Sequence, residues 1–179
     1  KLGGFRFDLM GVHDVKTMNE LTANLHNNVN KSITVYGEPW TGGTIALSGT
    51  AASQNNLNRF EGFGQFNDKM RDALIKGGLN GVTAKGWVTN NSTVNSTDLT
   101  ELMNGFKGIT LSKETDPSKS INYVTCHDNY TLYDRIRASG TTNEVLVKRM
   151  AMLANSCVFT SLGISFMLAG EEMLRTKGG

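Results

Sequence analysis

The chain has 179 residues, room for one domain of ordinary size. Its 39% hydrophobic and 19% charged content is that of a globular protein and excludes a disordered one. A net charge of +2 gives no reason to expect a nucleic acid or a membrane surface as partner. The three histidines and two scattered cysteines make neither a metal cluster nor a disulfide framework.

In chain order, residues 4–10 alternate apolar and charged side chains, the period of a strand, with Phe5, Phe7 and Leu9 on one face and Arg6 and Asp8 on the other. Residues 15–29 carry a helical stripe of Val15, Met18, Leu21 or Thr22, and Leu25. Residues 32–40 read as a second strand that Pro39 stops. A loop rich in Gly, Thr, Ser and Asn follows over 41–64, then a short third strand at 63–67 and a helix at 68–75. After a second loop, Asp98 is predicted to cap a helix over 99–106. A fourth strand is predicted at 121–128, helices near 132–137 and 144–158, and a fifth strand at 164–169. The apolar stretch 158–170 is broken by Thr160, Ser161 and Ser165, and is too short and polar for a membrane span. Cys126 and Cys157 read as buried small side chains. Asp14, Asp68, Asp72 and Asp134 read as caps or surface groups. The Asn-x-Ser/Thr triplets at Asn30, Asn90, Asn91, Asn95 and Asn129 read as chance.

Strands alternating with helices imply an α/β protein with a parallel sheet and helices outside. Asp8, Glu38 and Asp128 fall at the carboxyl ends of three predicted strands, where a β/α barrel builds its site. A doubly wound open sheet satisfies the same periodicity nearly as well.

Glycoside hydrolysis needs two carboxyl groups flanking the scissile bond. Adjacent strands lie about 4.8 Å apart, which suits the roughly 5–5.5 Å carboxyl separation of a retaining mechanism. Asp8 and Glu38 end successive strands, with Arg6 on the same face as Asp8 to keep it ionised. Trp40 offers Glu38 an apolar wall and a sugar ring a platform. Taken singly, a charged residue at a strand end is usually a solvated or capped group, and His127 alone reads as a structural histidine. Adjacent residues of a regular strand face opposite sides, so His127 and Asp128 reach one site only if the strand ends there.

Gly4-Phe5-Arg6-Phe7-Asp8, Tyr36-Gly37-Glu38-Pro39-Trp40, Tyr123-Val124-Thr125-Cys126-His127-Asp128-Asn129 and Gly163-Ile164-Ser165-Phe166 resemble, in order, four segments of the alpha-amylase superfamily barrel. Fuller stretches are closer to type I pullulanases. They are Phe7-Asp8-Leu9-Met10-Gly11, Gly37-Glu38-Pro39-Trp40-Thr41-Gly42-Gly43, Phe66-Asn67-Asp68 with Arg71-Asp72-Ala73, and Leu174-Arg175-Thr176-Lys177-Gly178-Gly179. The resemblance implies a partial (β/α)8 TIM barrel. Residues 1–179 would be its C-terminal part, about the last five β/α units, without the first three strands and the sandwich domain. It implies Asp8 as nucleophile, Glu38 as general acid/base and Asp128 as the transition-state-stabilising carboxylate. Arg6 would orient Asp8, His127 would bond the sugar at the cleavage point, and Trp40 would meet the leaving-side sugar. The partner would be an alpha-glucan cleaved at alpha-1,6 branches. No cofactor is required; relatives often bind calcium, but no ligand loop here is specific enough to place it. Two alternatives stand beside this reading: an alpha-1,4 hydrolase or glucan transferase of the same superfamily, and an inactive fragment that self-associates through open barrel edges.

Overall fold

A computed structural model describes residues 2–89, 95–110 and 115–179. The triplets beginning at Asn90 and Asn91 lie outside the described residues. The elements are β1 (Gly4–Phe7), α1 (Val15–Asn28), β2 (Thr34–Gly37), β3 (Phe63–Phe66), α2 (Asp68–Ile75), α3 (Ser96–Phe106), β4 (Ser120–Asn122), α4 (Leu132–Ala138), α5 (Glu144–Thr160) and β5 (Ile164–Ser165). The five strands form one parallel sheet in chain order, β1-β2-β3-β4-β5. The order never reverses, as it does in a doubly wound sheet. The result is an α/β fold with a parallel half-barrel sheet.

Burial divides the apolar residues into three groups. Met10, Val15, Met18, Ile33, Val35 and Phe63 join α1 to the first three strands. Met70, Leu74, Leu102, Ile136, Val147 and Val158 join α2, α3, α4 and α5. The third group lies beside the site: Phe66, Ile121 and Tyr123, with Tyr36, Trp40 and Phe166 packed against them. Phe66 meets Tyr36 and Phe166 edge to face, at centroid distances of 5.5 Å and 5.3 Å.

The helices begin and end close to expectation, but all five strands are shorter than predicted: β1, expected over 4–10, pairs only over Gly4–Phe7. The fourth, expected over 121–128, pairs only as Ser120–Asn122. Its neighbour β3 stops at Phe66, where Asn67 turns aside and caps α2 by accepting from the Met70 amide. Tyr123, Val124 and Thr125 are therefore buried without continuing the ladder. The fifth strand, expected over 164–169, pairs only through Ile164 and Ser165, because β4 is its one neighbour and ends at Asn122. The second strand pairs over Thr34–Gly37 rather than 32–40.

Two aspartates also differ from expectation. Asp98 lies inside the first turn of α3, and the cap is Asn95, which accepts from the Asp98 amide. The Asp98 carboxylate instead pairs with Lys76 Nζ at 2.5 Å. Asp134 is buried on α4 and accepts from Thr176 Oγ1 and the Lys177 amide. Asp14 caps α1 as read, accepting from the Thr17 amide. Cys157 is buried and Cys126 half-buried, both as free thiols.

Arg135 of α4 is buried and spends its guanidinium on backbone carbonyls of the 75–84 segment: Ile75, Lys76, Gly81 and Ala84. Hydrogen bonds to a charged group contribute about 1.5–3 kcal/mol, and stranding buried acceptors adds to the loss. Arg135→Ala is expected to destabilise the chain by about 2–4 kcal/mol and to open residues 76–84 to proteolysis. Denaturant titration with limited proteolysis checks this; an unchanged midpoint and an uncut loop would contradict it.

Candidate active site

The site forms where β1, β2 and the segment beyond β4 reach the same end of the sheet. Register pairs Phe7 with Gly37, so the next residues, Asp8 and Glu38, emerge side by side. Gly37 makes this approach possible. A Cβ there would sit 2.6 Å from the Phe7 carbonyl oxygen and 2.8 Å from Met10 Cβ. After Asp8 the chain turns sharply through Leu9, whose φ is 44°. This turn aims the Leu9 amide at Glu38 Oε2, 2.8 Å away.

Arg6 bridges the two carboxylates. Its Nη1 lies 2.5 Å from Asp8 Oδ1 and its Nη2 2.6 Å from Glu38 Oε1. Burial works against the Arg6 charge, yet the bond to Asp8 and the fields of Glu38 and Asp8 outweigh it and raise its pKa. The guanidinium also stands 5.8 Å from the centroid of the Phe66 ring. His127 Nε2 lies 3.9 Å from Asp8 Oδ1 and 3.4 Å from Asp128 Oδ1. Both residues reach the site because β4 ended at Asn122 and the chain bends through 126–129.

The carboxylates differ in environment. Side-chain exposure is 63% for Asp8 and 68% for Asp128 but 9% for Glu38, which separates one enclosed group from two open to an incoming molecule. Glu38, Trp40, Phe66, Arg71, Tyr123, Cys126 and Asp128 line a cleft. A second, wider hollow runs from Glu38 and Trp40 past Asp68 and Arg71 to the exposed Leu79. All six side chains singled out in the sequence, Arg6, Asp8, Glu38, Trp40, His127 and Asp128, thus border one region. Asp8, Glu38 and His127 each offer an atom within 4.8 Å of the others, the donor set of a cation site. Arg6 already holds one oxygen of each carboxylate, so a cation there would compete with the guanidinium.

Sequence reading missed the Arg71–Tyr123 and Thr125–Glu171 pairs that support the site. Arg71 Nη1 donates to the Tyr123 hydroxyl at 2.6 Å while its Nε pairs with Asp72 at 2.8 Å. Burial raises the Tyr123 pKa, so the phenol stays protonated. Thr125 donates its hydroxyl to Glu171, which is buried. Local spacing gives no sign of a bond spanning 46 positions.

No family model matches the chain. It is 32% identical over 182 residues to the pullulanase of Bacillus subtilis (strain 168), covering 98% of this chain and 24% of that protein. The chain matches one part of a pullulanase. It is 30% identical over 230 residues to the chloroplastic pullulanase 1 of Arabidopsis thaliana, again 24% of the relative. The chain therefore spans about a quarter of the length of these curated relatives. Among solved structures, the pullulanase from Bacillus acidopullulyticus superposes with a TM-score of 0.87 at 42% identity, covering 99% of this chain and 21% of that one. The pullulanase from Paenibacillus barengoltzii, in complex with maltohexaose and alpha-cyclodextrin, gives 0.85 at 37% identity, covering 99% of this chain and 28% of that one.

Burial pushes the Glu171 carboxyl up to about 8; the Asn155 amide opposes this and the charge of Glu172 adds to it. The folded chain thus holds this proton more tightly than the unfolded chain, where the ordinary value is 4.5. The stabilisation is complete below about pH 4.5 and is lost as pH rises through about 8. The unfolding midpoint of the native chain is expected to fall across that window. Glu171→Gln, which keeps a neutral hydrogen-bonding group, should flatten the fall. Equal pH dependence in the two proteins would contradict it.

Proposed function

We propose that the chain is the C-terminal part of the catalytic (β/α)8 barrel of a retaining glycoside hydrolase that cleaves alpha-1,6 branch linkages of alpha-glucans. The observation that carries this reading is the Arg6 bridge between Asp8 and Glu38 at the ends of adjacent parallel strands. Their separation, within 4.8 Å between nearest ligand atoms, suits direct attack and leaves no room for an intervening nucleophilic water.

In this reading Asp8, open and oriented by Arg6, attacks the anomeric carbon. Glu38 gives its proton to the departing glycosidic oxygen, and a beta-glycosyl ester forms on Asp8. Glu38 then takes a proton from water, which attacks the same carbon and releases Asp8 with net retention. Asp128 and His127 hold ring hydroxyls as positive charge grows on the sugar. Trp40, at the cleft wall with its ring against the inner aromatic group, faces the leaving-side sugar. Preference for alpha-1,6 over alpha-1,4 bonds rests on the likeness to pullulanases. No metal or other cofactor enters this scheme.

The edges bear on whether the chain works alone. Among the described residues β1 and β5 each pair on one side only, and beside β5 the side chains of Phe159, Leu162 and Ile164 are exposed. Barrels escape such edges only by closing. In this reading the isolated chain self-associates through these edges or needs further strands, and is a poor enzyme.

Two results are expected. In a barrel completed with the remaining segments of the Bacillus subtilis relative, Asp8→Asn should lower kcat on pullulan by on the order of 10⁴-fold or more. Glu38→Gln should spare substrates with good leaving groups, and azide should rescue Glu38→Ala by giving a beta-glycosyl azide. Near-normal rates for Asp8→Asn would refute the assignment. For the isolated chain, size-exclusion chromatography with a pullulan assay should show oligomers of low activity; a stable, fully active monomer would contradict the open-edge reading.

A further inference from the structure

Among the described residues the segment 123–129 pairs with no strand, yet it must present His127 and Asp128 at fixed positions. The bend contains Asn129 in the left-handed region, φ 60°, a conformation that needs support from elsewhere. That support comes from the far end of the sequence. After β5 the chain reverses at Gly170, φ 99°, makes a short helical turn at Glu171–Met173, and passes Leu174, φ 56°. Residues 175–178 then run back along the bend.

Lys177 Nζ donates to the His127 carbonyl and, at 2.8 Å, to the Asn129 carbonyl. These two carbonyls flank Asp128. One ammonium therefore holds the peptide group before Asp128 and the peptide group after Asn129, and so clamps the short bend that carries the Asp128 side chain. The lysine is itself anchored. Its amide donates to Asp134 Oδ2 at 2.7 Å, Thr176 Oγ1 donates to Asp134 Oδ1 at 2.5 Å, and the Gly178 amide donates to Thr176 Oγ1 at 2.9 Å. Asp134 is buried on α4, so the anchor belongs to the core. At the other end of the segment, Glu171 takes the Thr125 hydroxyl just before the bend.

We propose that residues 170–178 are a strap that sets the 127–129 bend, with Lys177 as its positioning residue. Lys177 acts through the backbone and need not touch a ligand. Its acceptors belong to exposed residues, so removing the ammonium leaves carbonyls that water can satisfy. The fold should persist while the bend loosens. A stabilising lysine would show the reverse pattern. The value of the strap to catalysis rests on the glycosidase reading above, but its geometry does not.

The test is nuclear magnetic resonance of the native 179-residue chain, Lys177→Met and Lys177→Arg, without substrate. The chain has three histidines, so the His127 ring is read beside His13 and His26 as internal controls. In Lys177→Met the His127 ring and the amides of 127–130 should shift and broaden. His13 and His26 should not change, and Lys177→Arg should restore most of the native pattern. An unmoved His127 ring in Lys177→Met overturns the proposal. So does a global loss of structure that moves all three histidines together. The readout is independent of turnover, so failure of a glucan assay and failure of the strap are separate results.

Discussion

One guanidinium organises the functional end of this molecule. Arg6 sits between Asp8 and Glu38, and without it two carboxylates would face each other across a few ångströms with no counter-charge. A guanidinium shared between them offsets the repulsion of like charges at that spacing. The arrangement depends on the sheet being parallel and in sequence order. Only then do consecutive strands deliver their last residues to the same end, and only with glycine at position 37 do β1 and β2 come close enough for one arginine to span both acids.

The rest of the structure supplies what Arg6 cannot. Its guanidinium lies against Phe66, which is locked edge to face with Tyr36 and Phe166, so the cation rests on a rigid apolar floor. His127 and Asp128 come from a segment that has left the sheet and is tied by side chains instead. Thr125 bonds Glu171, and Lys177 holds the carbonyls on either side of Asp128. The likeness to pullulanases covers nearly the whole chain but a quarter or less of the two curated relatives and of the Bacillus acidopullulyticus structure. In the proposed reading other strands complete the sheet at the β1 and β5 edges.

Much of this was legible in the residues. The alternation from Gly4 to Asp8, the helical stripe behind Val15 and the span of α2 follow from short-range periodicity, and periodicity survives folding when both faces of an element have fixed environments. The sequence over-extended β4 and β5 because residues such as Tyr123, Val124 and Thr125 are as apolar and buried as strand residues while having no ladder partner. Pairing is a property of the neighbour, and the neighbour stops at Asn67. Asp98 was misread as a cap because Asn95, three residues earlier, offers the same chemistry one turn sooner. Asp134 was misread as a surface group because the residues that bury and bond it, Thr176 and Lys177, are more than forty positions away. The six candidate site residues border one region because β1 and β2 end side by side and the segment after β4 bends toward them; the supports Arg71, Glu171 and Lys177 act through long-range bonds that no local pattern encodes.

The central claim is that Asp8 is the group that bonds to sugar. It is tested most directly by replacing the matching stretch of the Bacillus subtilis pullulanase with this chain and exposing the hybrid to a fluorinated alpha-glucosyl fluoride, whose glycosyl ester turns over slowly. Peptide mass spectrometry should find one sugar on the peptide containing Asp8, and Asp8→Asn should abolish the label. A sugar on Glu38 or Asp128, or label persisting in Asp8→Asn, would contradict the account.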